Sequence, residues 1–139
     1  MVPSVSPDVE MEKRLAAEAA AALVEPGMAV GLGTGSTVDC LLAPLAARQL
    51  DIRCVATSPR TERTALDLGL RVEPFRLERL DIAIDGADQI QPDGWLVKGG
   101  GAAHTREKQV AAAADRFVVI ADSTKPVDVI GAPIPLELL

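Results

Sequence analysis

Tyrosine is absent from this 139-residue chain, and all aromatics together make up 2% of it. The 48% hydrophobic fraction must therefore come from Ala, Val, Leu and Ile, a mix that suits a sheet flanked by helices better than a small all-β sandwich. The one tryptophan, Trp95, reads as core or rim packing, since a lone aromatic is no stacking platform for bases. Histidine is nearly missing too. His104 stands alone beside two cysteines, Cys40 and Cys54, which form no CxxC, so a His/Cys zinc site is not expected. His104 reads as a helix-surface residue, and the cysteines read as buried free thiols of a reducing cytoplasm. Basic residues are outnumbered 14 to 20, giving a net charge of -6 and a pI near 4.7. That balance argues against nucleic acid, which needs a basic face, but a few local donors still allow a small anionic ligand. No apolar run is long enough to span a membrane. The stretch MVPSVSPDVEMEKR has no basic region followed by an apolar one, so neither a membrane partner nor a signal peptide is expected, and the chain reads as cytoplasmic. Its length suits one domain, 1–139.

What is present is an alternation. Ser6-Pro7 reads as N-cap and first position of an Ala-rich helix running to about Val24, stopped by Glu25-Pro26-Gly27. "MAVGL" (28–32) is a strand, followed by a helix through Leu41, Leu42 and Leu45. "IRCVAT" (52–57) is the next strand, with a helix from Pro59 to Leu68 and Gly69 just past its end. "LRVEPF" (70–75), "LDIAIDGA" (80–87), "GWLVKGG" (94–100) and "RFVVIAD" (116–122) read as further strands. A helix covers 102–114, and "PIPLELL" begins another extended segment. The order predicts an α/β fold: a Rossmann-like, mostly parallel sheet with helices on both faces. The loops "GTGST", "TSPRT", "DGAD", "KGGG" and "DSTK" all follow strands. In such a sheet they should line one cleft.

Each loop has its own chemistry. "GLGTGST" fails as a dinucleotide fingerprint, because Ser36 stands where the third glycine belongs and Ala56-Thr57-Ser58 offers no acid for a ribose. It has no Walker lysine either. What remains is a glycine turn with hydroxyls at Thr34, Ser36 and Thr37 opening a helix, equally a phosphate cradle or a capped turn. Asp85 and Asp88 in "DGAD" read by themselves as ordinary turn residues, and as ligand groups they suit sugar hydroxyls better than a hard cation, because Lys98 is near. Glu107 follows the triglycine Gly99–Gly101 and Lys98 precedes it. A carboxylate opposite an ammonium with a sugar between them is what proton transfer beside a carbonyl needs. Lys125 in "ADSTK" either is solvated or faces a phosphate at the cleft mouth.

Taken together, "GLGTGSTV", "ATS", "DIAIDGADQI", "LVKGGGAAHTREKQVA", "FVVIADSTKPVDVIG" and "PIPLEL" resemble the ribose-5-phosphate isomerase type A family, in the family's order. The resemblance implies a metal-free, cofactor-free interconversion of ribose 5-phosphate and ribulose 5-phosphate through an enediolate. Glu107 would be the base. Lys98 with the Gly99, Gly100 and Gly101 amides would hold the oxyanion. Asp85 and Asp88 would bind hydroxyls and assist ring opening, with Gly86 and Ala87 between them. Thr34, Gly35, Ser36 and Thr37 would form the substrate loop, and Lys125 and Lys13 would face the phosphate. Two departures stand out: Gln89 replaces the Glu of the family's Asp-Gly-Ala-Asp-Glu, and the family continues into a smaller α+β domain that is absent here, so the chain is expected to be a shortened form or a fragment. Uncovered apolar surface then predicts a homo-oligomer, dimer or larger. A non-catalytic sugar-phosphate sensor and an isomerase of another phosphorylated aldose are the alternatives. Keeping Lys98, Glu107 and both aspartates favours catalysis.

Overall fold

Ser6 caps the first helix as its sequence predicts. Its hydroxyl accepts the Val9 N–H at 3.3 Å, and Pro7 takes the first position, where a missing N–H costs nothing. The structure, a computed structural model, describes residues 6–100 and 103–138. Within them α1 spans Pro7–Ala21, β1 Ala29–Leu32, α2 Ser36–Ala47, β2 Arg53–Ala56, α3 Pro59–Asp67, β3 Leu80–Asp85, β4 Gln89–Ile90, β5 Leu96–Val97, α4 His104–Ala113 and β6 Ala114–Val119. Helix α1 ends short of the expected Val24. The Arg48 guanidinium donates to the carbonyls of Ala21 and Val24 where the chain leaves the helix, and the Ala21 carbonyl also accepts the Val24 N–H at 3.2 Å. Ser58 caps α3 by accepting the Thr61 N–H at 3.2 Å, and Gly69 beyond its end sits at φ 87°, as glycine favours.

The main sheet has the order β2-β1-β3-β6, and every pairing in it is parallel. Parallel neighbours need crossover connections, and the helices supply them. Side-chain alternation then fixes the two faces. Val30, Leu32, Cys54, Ile82 and Ile84 meet the alanines of α1 and Leu41, Leu42 and Leu45 of α2. Ala29, Val55 and Ala83 turn the other way, toward Val110 of α4 and Phe75. Helices therefore cover both faces, as the sequence predicts. Gly31 matters for the second face. A Cβ there would lie 2.5 Å from Val110 Cγ1, so α4 rests directly on bare strand backbone.

Three expected strands differ. Segment 70–75 contributes one parallel bridge, Cys54 to Val72, before Pro74, a residue strands tolerate only at edges. Segment 94–100 shrinks to β5, which pairs antiparallel with β4 in a separate two-stranded sheet. "PIPLELL" forms no strand among the described residues.

Candidate active site

Asp85 is the last residue of β3, beside the turn that leaves β1. Its Oδ1 accepts N–H groups from Gly86 at 2.7 Å and Thr34 at 3.2 Å, and its Oδ2 lies 2.9 Å from Lys98 Nζ. Gly33 makes the approach possible, because a Cβ at that position would overlap the Asp85 carboxylate. Lys98 also donates to the Gly86 carbonyl at 2.5 Å and sits 3.6 Å from Glu107 Oε1. Glu107, in the first turn of α4, is 4% exposed, and its Oε1 has no hydrogen-bond partner. Two buried carboxylates thus share one ammonium. Burial pushes the Glu107 carboxyl above its ordinary range, repulsion from Asp85 adds to the rise, and Lys98 opposes it. Asp85 is also raised by burial, against Lys98 and its two N–H donors.

The other loops close around this trio. Thr34 and Thr57 hydroxyls pair at 2.7 Å, tying the β1 loop to the end of β2, and the Thr61 hydroxyl donates to Gly33 O at 2.9 Å. Gly35 precedes α2 at φ 123° without a side-chain cap, leaving the first amides of that helix for another acceptor. Lys13 Nζ reaches Ser36 Oγ at 3.1 Å. Asp88 Oδ2 accepts the Gly100 N–H at 2.8 Å, and a Cβ on Gly100 would collide with that carboxylate.

Residues 53–139 match the family model of ribose 5-phosphate isomerase A (phosphoriboisomerase A). The chain belongs to this family. It is 54% identical over 129 residues to the ribose-5-phosphate isomerase A of Halobacterium salinarum, an alignment covering 92% of this chain and 57% of that protein. The structure of ribose 5-phosphate isomerase A from Neisseria gonorrhoeae superposes with a TM-score of 0.85 at 35% identity, covering 88% of this chain and 56% of the other. A D-ribose-5-phosphate isomerase in complex with phospho-erythronic acid gives a TM-score of 0.84 at 36% identity, over 86% and 55%. The chain thus spans a little over half the length of these relatives.

Most residues that the family resemblance singles out converge on one cleft of about 100 Å³. Its walls are Thr34, Gly35, Ser36, Thr37, Gly86, Ala87, Asp88, Lys98, Gly99, Gly100, Glu107 and Lys125. Gly101 lies outside the described residues. Asp85 and Lys13 stand behind the wall, Asp85 bound to Thr34, Gly86 and Lys98, and Lys13 bound to Ser36. Several expectations change. Lys98 and Glu107 do not stand apart with room for a sugar between them; at 3.6 Å they pair directly. His104 is half-buried rather than on the surface, with its side chain against Gly99 and its Nε2 3.9 Å from Glu137. Trp95 is 69% exposed, not core, and Cys40 is half-buried where Cys54 is fully buried. At the family's departure point, Gln89 donates to Gly131 O at 2.8 Å and accepts from Gly131 N at 3.0 Å. A glutamate could not make both bonds. Sequence patterns assign no role to Thr57, Thr61 or Gly33. Their signal is position: each lies within a few residues of the end of β1 or β2.

Proposed function

We propose that this chain carries an aldose–ketose isomerase site interconverting D-ribose 5-phosphate and D-ribulose 5-phosphate. The observation that supports it most is the buried trio of Asp85, Lys98 and Glu107, with an unpartnered Glu107 oxygen on the cleft wall. The open-chain aldose lies over the Lys98–Glu107 pair. Glu107 takes the C2 proton, the C–H electrons form the C1–C2 double bond, and the carbonyl pair moves onto O1. Lys98 and the Gly99 N–H stabilise that oxyanion. Glu107 then returns the proton to C1 while the O2 hydroxyl proton passes to O1, leaving a ketone at C2. A carboxylate whose proton affinity is raised by burial suits this work near neutral pH.

Asp88 holds sugar hydroxyls. Asp85 orients Lys98 and the Thr34 and Gly86 amides rather than touching the sugar. The phosphate sits at the open start of α2, between Thr34–Thr37 and Lys125, with Lys13 acting through Ser36. No metal or other cofactor enters this scheme. The phospho-erythronic acid complex of a structural neighbour supports a phosphorylated carbon chain as the ligand class.

The same reading includes a cytoplasmic homo-oligomer. Trp95, Leu136 and Leu138 are 69%, 87% and 94% exposed, and apolar surface of this kind favours association. Among the described residues no helix is long and apolar enough to cross a membrane. Incubating the chain with ribose 5-phosphate in EDTA and following ketose formation tests the activity. Conversion undiminished by the chelator is expected. Tight binding without conversion would indicate a sensor, and dependence on added metal would overturn the scheme. A purely monomeric species in sedimentation would remove the oligomer.

A further inference from the structure

Two adjacent residues of α1 grip the two loops at the phosphate end of the cleft. Lys13, buried to 7% exposure, reaches Ser36 Oγ in the loop after β1. Its neighbour Glu12 reaches the opposite way. The Glu12 carboxylate accepts the Ser123 N–H at 2.6 Å with Oε2 and the Ser123 hydroxyl at 2.9 Å with Oε1. Ser123 opens the turn after β6, and that turn carries Lys125 to the cleft wall. Asp122 closes the turn internally, its Oδ1 accepting the Thr124 N–H at 2.9 Å. The Lys125 N–H donates to the Asp122 carbonyl at 3.3 Å, which fixes where the lysine leaves the turn. No other described side chain hydrogen-bonds Ser123; the far end of the turn is held by backbone, the Ile90 N–H donating to the Lys125 carbonyl at 3.0 Å, so the Glu12 carboxylate fixes the Ser123 end of the turn relative to Ser36.

We infer that Glu12 is a positioning residue for phosphate binding: by clamping Ser123 it holds the Lys125 turn at the distance from the β1 loop that a phosphate group requires. The inference rests on the proposed function, which puts the phosphate at this end of the cleft. Simple electrostatics predicts the reverse effect, because a carboxylate near an anion site repels the ligand, and removing it should tighten binding. The sign therefore separates the two accounts. If loss of the clamp leaves the turn in its binding position for about a tenth to a third of the time, the apparent Kd rises about 3- to 10-fold.

The test is titration of the whole chain with inorganic phosphate, read by calorimetry, for wild type, Glu12→Ala, Glu12→Gln and Ser123→Ala. Glu12 lies outside the apolar core and alanine is a good helix former, so the alanine variant should fold, which its melting curve checks. Weaker binding in Glu12→Ala, a smaller loss in Ser123→Ala, and recovery in Glu12→Gln, which keeps an acceptor oxygen, are expected. Binding by Glu12→Ala as tight as or tighter than wild type, or no recovery in Glu12→Gln, would overturn the clamp. A wild-type chain that binds no phosphate would instead remove the phosphate end of the proposed function, and the clamp with it.

Discussion

Burying Glu107 costs stability at neutral pH, because its folded-state proton affinity is raised by burial and by Asp85. Its contribution to stability is therefore fully present below the unfolded carboxyl pKa of about 4.3 and is lost as pH rises through the higher folded value. Glutamine has no charge to bury, so Glu107→Gln should melt at or above the wild-type temperature at pH 7, with the gap closing near pH 4 in a melting series. Its turnover should fall by roughly 10²–10⁴-fold while sugar-phosphate binding persists. The acid side of the kcat/KM profile should lie above the ordinary carboxyl range, because Glu107 in the proposed role of base works only when deprotonated. Asp85→Asn should move that limb down, since it removes a repelling charge and leaves Lys98 to Glu107 alone. An unmoved limb would detach the profile from this trio.

At the scale of elements, the site depends on how closely α4 approaches the sheet. Gly31→Ala would put a methyl group 2.5 Å from Val110 Cγ1 and push α4 outward, carrying Glu107 with it. A cost of about 1–3 kcal/mol is expected in denaturant unfolding, together with reduced turnover. The helices and main strands were legible because caps and apolar runs are local: Ser6-Pro7 and Gly69 mark helix ends. Pairing is not local. Nothing in "GWLVKGG" says that Leu96 and Val97 pair with Ile90 and Gln89 instead of entering the sheet. The members of the site could be read from their loops, but the direct Lys98–Glu107 contact could not. It depends on how a hairpin outside the sheet sets Lys98 against α4.

Over the whole molecule, the net charge of -6 coexists with a cleft that has Lys98 and Lys125 on its wall and Lys13 behind Ser36. Local placement outweighs the total. Global stability also gates the thiols. Burial drives the Cys54 pKa up to about 12, while Cys40 is half-buried, so a thiol reagent should label Cys40 in the folded chain and reach Cys54 only on unfolding. Equal labelling rates under native conditions would mean that the core opens far more readily than its packing implies. The most direct test of the central claim is proton exchange in D₂O: ribose 5-phosphate is incubated with wild type and with Glu107→Gln, and carbon-bound deuterium is followed by NMR. Wild type should place deuterium on the sugar while Glu107→Gln binds the sugar and leaves it unlabelled; equal labelling by both proteins would contradict the assignment of Glu107 as the base.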